Sequence, residues 1–185
     1  MEFSSLLNRR VTQVFLLLIC ASIVASCTGN SGMIRPSDKI GKLRVNRYGH
    51  SNSAVIWDYC SNAMTSEPAV QTTECKVPLV SELFIGLGVY GMDERQRDEL
   101  WEARTWELDI DGYPVDLQAF NIADFDDGRK GTQYEARVWR IRLRNLTEGE
   151  HTLHYMMHVN RKVDGDPNAQ STGTYELVVK FTVEK

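Results

Sequence analysis

Residues 139–159 read Trp-Arg-Ile-Arg-Leu-Arg-Asn-Leu-Thr-Glu-Gly-Glu-His-Thr-Leu-His-Tyr-Met-Met-His-Val, two alternating runs separated by a polar segment. Its first six residues alternate apolar side chains with arginine, and from Leu153 every second residue is again apolar. A period of two is typical of strands that bury one face. The polar segment 145–150 between the two runs contains a glycine, as hairpin connections often do. The stretch therefore predicts a β-hairpin with one apolar face.

The same alternation recurs on both sides of this stretch. Residues 105–118 predict a second hairpin, because apolar side chains alternate on either side of Asp111-Gly112, a pair that favours a type I′ turn. Further strands are predicted at 42–46, at 53–59 and at the C-terminus, where five alternating positions share one face: Tyr175, Leu177, Val179, Phe181 and Val183. The nearly continuous apolar run 77–90 predicts one buried strand, with a bulge or a close backbone approach at Gly86 and Gly88.

One short helix is predicted after this apolar run. Asp93 is a favourable N-cap residue, and Arg95 and Glu99 stand four residues apart, as paired charges on a helix do. Its packing edge is expected to comprise Met92, Leu100 and Trp101.

Several strands with one apolar face each have to bury those faces against one another, and the usual solution is a two-sheet sandwich. Residues 143–153, Leu-Arg-Asn-Leu-Thr-Glu-Gly-Glu-His-Thr-Leu, with the Asp-Gly loop and the closing strand after them, resemble the last strands of immunoglobulin-like and fibronectin-III-like modules. The resemblance covers the C-terminal part of the chain. It implies an immunoglobulin-like antiparallel β-sandwich, and we expect a single domain over 42–185, mainly β with one short helix.

The N-terminus has the features of an export signal. Arg9 and Arg10 precede an apolar run that is too short to span a bilayer as a helix. The run ends in Val24-Ala25-Ser26-Cys27, which resembles the lipobox of bacterial lipoproteins. That resemblance implies that 1–26 is a removed signal peptide and that the Cys27 sulfur carries a lipid, with 27–41 as the lipidated cysteine and a tether. The alternative is an ordinary signal peptide cut nearby, which leaves Cys27 as a thiol.

Two further cysteines, Cys60 and Cys75, remain in the expected exported part. An even pair in an exported chain is most simply a disulfide, and the residues between them show no CxxC spacing of a metal or redox site. The formal net charge of −4 argues against a nucleic-acid partner. The chain contains no GxSxG, P-loop, GxGxxG or HExxH motif, so we expect a non-enzymatic protein without a cofactor.

Two charged segments offer candidate ligand chemistry. Asp124, Asp126 and Asp127 provide the oxygen density of a calcium loop, although a plain turn explains the same residues and the EF-hand pattern is absent. The arginines at 140, 142 and 144 form either a stripe for an anionic ligand or a solvated strand face. In the second case we expect them to pair across strands with Glu107, Asp109 and Asp111.

Histidine and tryptophan complete the candidates. His154 and His158 have HxxxH spacing, but four residues along a strand span about 13 Å, too far for one metal ion to bind both. We expect them on the solvent face. Four tryptophans can provide either a sugar-stacking platform or core packing, and their positions in the apolar pattern favour the core: Trp57, Trp101, Trp106 and Trp139.

These patterns predict a membrane-anchored, extracytoplasmic binding or interaction module at the cell membrane or outer membrane. Its partner is expected to be an envelope protein or glycan, bound through loops 61–74, 121–132 and 160–173 at one end of the sandwich, since loops on a rigid scaffold carry recognition. The alternative is a carbohydrate- or cation-binding accessory module of the envelope.

Overall fold

The computed structural model describes residues 32–48, 54–61, 65–127 and 134–185. Residues 33–185 form a compact unit, while the predicted signal peptide and Cys27 lie outside the described residues. The elements in chain order are β1 (Lys39–Ile40), β2 (Leu43–Arg47), β3 (Ala54–Val55), β4 (Val70–Pro78), β5 (Glu82–Gly91), α1 (Glu94–Glu102), β6 (Arg104–Ile110), β7 (Tyr113–Pro114), β8 (Asn121–Asp127), β9 (Tyr134–Arg144), β10 (Gly149–Val159) and β11 (Gly173–Glu184).

The strands form two sheets. Sheet I has the order β1-β2-β9-β5-β3, with β8 also paired to β9, and sheet II has the order β4-β11-β10-β6-β7. The predicted sandwich, mainly β with one helix, is therefore confirmed. Assignment to the immunoglobulin-like class stays a prediction. Most strand pairs are antiparallel, as predicted, but β4 runs parallel to β11 and β3 parallel to β5.

The core lies between the two sheets. Sheet I contributes alternate residues of β5 and β9, and sheet II contributes alternate residues of β10 and β11, among them Leu83, Ile85, Ile141, Leu143, Leu153, Tyr155, Val179 and Phe181. Each of these eight side chains is at most 1% exposed, and burying a large apolar side chain stabilises a fold by about 1.5–3 kcal/mol. The apolar period of two therefore reports which face of each strand is inside.

The stretch 139–159 forms both predicted strands but not the predicted hairpin. β9 belongs to sheet I and β10 to sheet II, so the connection crosses from one sheet to the other. Leu146 is buried at this corner, and Asn145 (φ 56°) and Gly149 (φ 126°) turn the chain. The two apolar faces meet across the core, and this arrangement requires the same alternation as a hairpin does.

The predicted hairpin at 105–118 is confirmed at its turn. β6 pairs with β7, and Asp111 (φ 51°) and Gly112 (φ 79°) have the positive φ values of a type I′ turn. The returning strand is shorter than expected: it ends at Pro114, and a 3-10 helix follows over Leu117–Ala119. Val115 between them donates to the Leu108 carbonyl oxygen and forms a bridge with Ile34.

The run 77–90 is two strands rather than one. β4 ends at Pro78 in sheet II and β5 begins at Glu82 in sheet I, so the chain changes sheets over 79–81. The predicted close approach is correct at Gly88, where a Cβ atom would collide with the carbonyl oxygen of Arg137. Of the strand predicted at 53–59, the described residues form only the short strand β3. A 3-10 helix follows it over Ile56–Asp58.

The domain begins before residue 42. Ile34 is buried at 7% exposure and its amide donates to the Pro114 carbonyl oxygen, while β1 pairs with β2. The predicted tether over 27–41 is therefore wrong for 34–40, because an apolar side chain and a strand in that segment complete the sandwich.

The predicted helix is confirmed as α1. The Asp93 carboxylate accepts a hydrogen bond from the Gln96 amide at 2.7 Å, and Arg95 lies 2.6 Å from Glu99. Leu100 is buried, but Met92, predicted on the packing edge, is 55% exposed. Among the described residues no helix has the length and apolar character needed to cross a membrane.

Candidate functional site

Two of the predicted recognition loops meet at the end of the sandwich where α1 lies, which we call the α1 end. They are the segment 65–69 before β4 and the β10–β11 loop, residues 160–172. The Ser171 amide donates to the Ser66 carbonyl oxygen at 3.0 Å. The Tyr175 hydroxyl lies 2.8 Å from the carbonyl oxygens of both residues. The described loop residues therefore contact one another as predicted, but the predicted loop 61–74 is wrong for 70–74, which belong to strand β4.

A buried ion pair holds the base of the β10–β11 loop. Arg104 Nη2 donates to Asp166 Oδ2 at 2.6 Å and to Gln170 Oε1 at 3.1 Å. Nη1 donates to the Leu100 carbonyl oxygen at 3.1 Å. Burial lowers the pKa of Arg104, and the charge of Asp166 partly offsets this, so the guanidinium remains protonated at neutral pH.

Asp166 also organises the backbone of the loop. Its carboxylate accepts hydrogen bonds from the amides of Asn168 (3.0 Å) and Gln170 (3.2 Å), and its carbonyl oxygen accepts one from the Ala169 amide (2.8 Å). Ala169 consequently has φ 49°, a left-handed conformation that costs a residue with a Cβ atom about 1 kcal/mol. The loop is thus held in one conformation by its buried base.

Gln96 connects the same loop to α1. Its side-chain amide donates to the carbonyl oxygens of Asp164 (3.1 Å) and Gly165 (2.9 Å), and its Oε1 accepts from the Met92 amide at 2.7 Å. The tip of the loop is exposed in contrast to its base: Arg161, Lys162, Asp164, Pro167 and Asn168 all face solvent. The α1 end therefore presents polar side chains on an ordered frame.

A cavity of about 270 Å³ opens beside this loop, between β5 of sheet I and the inner face of sheet II. Trp57, Leu87, Trp106, Tyr155 and Leu177 line it, with Asn168 at its rim. Burial raises the pKa of Tyr155 well above its ordinary value, so its hydroxyl stays protonated.

Residues 121–127 are strand β8 and not the predicted loop or turn; the remainder of that predicted loop is outside the described residues. The Asp124 carboxylate accepts two hydrogen bonds from Arg137, at 2.8 and 2.6 Å, which lower the pKa of Asp124 more than burial raises it. Asp126 raises the pKa of Glu135 by sharing a hydrogen bond with it. For Asp127 the structure describes the backbone position in β8.

Within the described residues, no group of three or more His, Cys, Asp or Glu side chains is arranged to hold a metal ion. The Asp124 carboxylate is engaged by Arg137, whereas a calcium ligand has to direct its oxygens at the ion.

The arginine stripe of β9 lies on the outer face of sheet I. The predicted pairing with Glu107, Asp109 and Asp111 is wrong, because Glu107 and Asp109 lie on β6 of sheet II and Asp111 at the end of that strand. Arg142 and Arg144 instead lie 3.4 and 3.0 Å from Glu82 of the adjacent β5. Arg140 stacks 4.0 Å over the ring of Tyr48.

The remaining candidate residues have structural roles in the sandwich. All four tryptophans pack on the core, as predicted, with Trp139 fully inside and its ring 4.3 Å from that of Trp101. His154 and His158 lie on the outer face of sheet II, as expected, where His154 Nε2 is 3.0 Å from Glu176. Cys60 and Cys75 form the predicted disulfide, with their Cα atoms 5.3 Å apart.

The buried residues that hold the α1 end were missed by sequence reasoning. Gln96 and Gln170 are polar, and Arg104 is charged although it is in phase with the apolar positions of β6; polar and charged residues usually face solvent. Arg104 and Gln96 contact residues of the β10–β11 loop that lie 62 to 69 positions further along the chain. The available local signal was the Asp-Gly-Asp-Pro turn at 164–167, which marks the loop but not its partner.

Comparisons with known proteins identify no family for this chain. No protein-family model matches it, and no curated protein matches it in sequence. The solved structures that match the chain include two at low identity and low TM-score. PbICP-C, in complex with falcipain-2, is 12% identical with a TM-score of 0.36, over 72% of this chain and 100% of its own. The cysteine protease inhibitor EhICP2 from Entamoeba histolytica is 10% identical with a TM-score of 0.28, over 64% of this chain and 96% of its own.

Proposed function

We propose that this chain is a lipid-anchored, extracytoplasmic binding protein without enzymatic activity, and that it recognises a protein partner with the β10–β11 loop and segment 65–69. The observation that carries the proposal is the left-handed Ala169, held above the buried Arg104–Asp166 pair. A loop already ordered before binding loses less conformational entropy on association. Strained backbone kept in place by a buried polar network is typical of recognition sites.

The chemistry of this surface favours a protein over a glycan. Lys162, Asp164 and Asn168 present both charges and an amide around Pro167, a mixture typical of the polar rim of protein interfaces. Stacking on a sugar requires an exposed aromatic ring; the four tryptophans pack on the core, and segments 65–69 and 160–172 contain no aromatic residue.

The anchor is supported by the sequence, in the lipobox-like Val24-Ala25-Ser26-Cys27. We expect Cys27→Ala to abolish incorporation of radiolabelled palmitate and to leave the signal peptide attached. Ser26→Ala, which keeps a small residue before the cysteine, is the matched control and should retain the label. Equal labelling of both variants would contradict lipidation at Cys27.

Partner recognition is tested by photocrosslinking in intact cells of the source. A photoreactive benzoylphenylalanine is placed at exposed Asn168 at the α1 end, and in a separate variant at exposed Glu148 at the opposite end of the sandwich. We expect a discrete protein adduct from position 168 that position 148 does not give. Adducts of the same mass and yield from both positions, or from neither, would refute recognition at the α1 end.

A further inference from the structure

The outer face of sheet I carries a cluster of cations at the end of the sandwich opposite α1. Residues paired across two strands share a face, so Arg44 of β2 lies beside Arg144 of β9, and Lys39 of β1 lies beside Arg44. Arg140 and Arg142 lie on the same face of β9 as Arg144. Lys39 and Arg144 are exposed, and the other three are half-buried. We call these five residues the basic face.

Most of the positive charge of the basic face is not neutralised within the described part of the chain. Its one described acidic residue, Glu82, lies 3.4 Å from Arg142 and 3.0 Å from Arg144. The other three cations form no ion pair with a described carboxylate. Arg44 and Arg144 are direct cross-strand neighbours, and like charges in that arrangement destabilise a sheet. An anionic surface against this face would offset the repulsion.

The opposite face of the sandwich has the opposite charge. On the outer face of β6, β10 and β11, carboxylates outnumber the basic side chains: Glu107, Asp109, Glu150, Glu176 and Glu184 against Lys180. The formal net charge of the whole chain is −4, so the basic face is a local exception on an acidic protein. An anionic surface would therefore attract the outer face of sheet I and repel that of sheet II.

The basic face begins at the edge where the chain enters the fold. Ile34 is the first buried residue in the described part of the chain, and one turn leads from it into β1. A cleft lined by Arg35, Arg47 and Arg142 continues the positive charge to this edge. The arginines of β9 lie two strand spacings from β1, about 10 Å. Only seven residues lead from Cys27 to Ile34, and they span at most about 25 Å when fully extended.

The short distance from Cys27 identifies the anionic surface. A lipid on Cys27 would hold the basic face within reach of headgroup phosphates, and clusters of Lys and Arg beside a membrane anchor bind anionic lipids. We propose that the basic face rests on anionic phospholipid headgroups of the membrane that holds this lipid. The α1 end lies at the other end of β9, about 30 Å from Arg144, so the proposed recognition loops stay outside this contact.

This inference rests on the proposed lipid anchor and adds a second, electrostatic contact with the same membrane. An acyl chain combined with a basic patch holds a protein on a membrane more firmly than one acyl chain does. The contact also specifies which side of the sandwich faces the bilayer, and that orientation can be measured separately from the anchor.

The experiment places a fluorophore on one face at a time of the lipid-bearing full chain, reconstituted on vesicles. Lys39→Cys labels the basic face, and Lys180→Cys labels the outer face of sheet II. Each variant removes one exposed lysine, so the second is the matched control. On vesicles of mixed phosphatidylcholine and phosphatidylglycerol, we expect stronger energy transfer from position 39 than from position 180 to a headgroup-labelled lipid. The difference should disappear on pure phosphatidylcholine and at about 1 M salt, where charges are screened within about 3 Å.

Charge removal provides the second arm. Arg44→Gln/Arg140→Gln in the Lys39→Cys chain should lower the ratio of apposed to free protein about 25-fold, because each basic residue contributes about fivefold. Arg44→Lys/Arg140→Lys keeps both charges and should keep the contact, and melting curves compare the stability of the two double variants. Equal transfer from positions 39 and 180 on phosphatidylglycerol vesicles, or equal loss of transfer in the Gln and Lys variants, would overturn the inference.

Two further outcomes separate the basic face from its alternatives. A chain that binds soluble polygalacturonate and shows no preference for phosphatidylglycerol would assign the cations to an acidic glycan and overturn the inference. Failure of the lipid anchor has a different signature, because a chain without lipid does not float with pure phosphatidylcholine vesicles. A lipidated chain that floats with both kinds of vesicle and shows no difference between the two labelled faces keeps the anchor and loses the headgroup contact.

Discussion

Arg104 Nη2 lies 2.6 Å from Asp166 Oδ2, and both side chains are 3% exposed. The pair joins the first residue of β6 to the β10–β11 loop across 62 residues of sequence. Its position beside the cavity makes it part of the frame on which the proposed recognition surface depends.

Removing one member of the Arg104–Asp166 pair should lower the free energy of unfolding. Arg104→Ala leaves the Asp166 carboxylate buried without its counter-ion, and we expect a loss of about 3–5 kcal/mol in the free energy of unfolding. The double variant Arg104→Met/Asp166→Asn removes both charges and should lose less. Urea unfolding measures both values, and a double variant less stable than Arg104→Ala would show that the two residues do not act as a pair.

The contact between α1 and the loop depends on Gln96. Gln96→Ala removes hydrogen bonds to the Asp164 and Gly165 carbonyl oxygens and to the Met92 amide, and we expect a loss of about 1–3 kcal/mol. Hydrogen exchange over 160–172 should become faster. Arg95→Ala, one residue away and exposed, is the control and should change stability by less than about 0.5 kcal/mol. Equal effects of the two variants would show that the side-chain hydrogen bonds of Gln96 are not the cause of the loss.

Stability should depend on pH through His151 and Asp111, whose side chains lie 2.8 Å apart. The hydrogen bond that Asp111 accepts from His151 raises the pKa of His151 more than burial lowers it. Burial raises the pKa of Asp111, but hydrogen bonds from His151 and the Thr152 amide outweigh it and leave that pKa below its ordinary value. The pair thus exists in its charged form over the range between the two groups' unfolded pKa values of about 3.9 and 6.5.

The contribution of His151 is complete below its unfolded pKa and is lost as the pH rises through its higher folded pKa. The contribution of Asp111 is complete above its unfolded pKa and is lost as the pH falls through its lower folded value. The stability difference between the wild type and His151→Gln should therefore be largest near pH 5, and melting curves from pH 3 to 9 measure it. A stability difference that is constant from pH 3 to 9 would show that the charged pair of His151 and Asp111 does not cause it.

The two glycines of β5 should respond differently to substitution. At Gly88 a Cβ atom would overlap the carbonyl oxygen of Arg137 in the neighbouring strand, so Gly88→Ala should cost several kcal/mol through displaced backbone. At Gly86 a Cβ atom would meet the ring of Phe84 at 3.3 Å, which the movable side chain can accommodate. Gly86→Ala should change stability by less than about 1 kcal/mol. Thermal unfolding of the two variants tests the contrast, and equal losses would refute it.

The Cys60–Cys75 disulfide should stabilise the fold by constraining the unfolded chain. Closing a loop of about 15 residues contributes roughly 3 kcal/mol in the chain-entropy model, so Cys60→Ala/Cys75→Ala should unfold at a correspondingly lower denaturant concentration. A reducing agent should destabilise the wild type and leave the double variant unchanged. If the agent destabilises both proteins equally, its effect does not act through this bond.

Strand positions and buried faces could be predicted from the sequence, because the period of two is a local property of an extended backbone. The C-terminal strand shows this: all five positions predicted on its apolar face are buried, from Tyr175 to Val183. The Asp111-Gly112 turn and the Asp93 cap were predictable for the same reason, since each depends on contacts within a few residues.

Strand partners were decided only by the tertiary structure. The alternation in 139–159 is compatible with two strands side by side and with two strands face to face, and the sandwich adopts the second arrangement. Arg142 and Arg144 of β9 consequently meet Glu82, rather than the carboxylates on and beside β6 that sequence reasoning paired with them. The Arg104–Asp166 pair and the cavity beside it depend on contacts between distant segments. Local periodicity has no information on such contacts, because it reports which side of a strand is buried and not which element buries it.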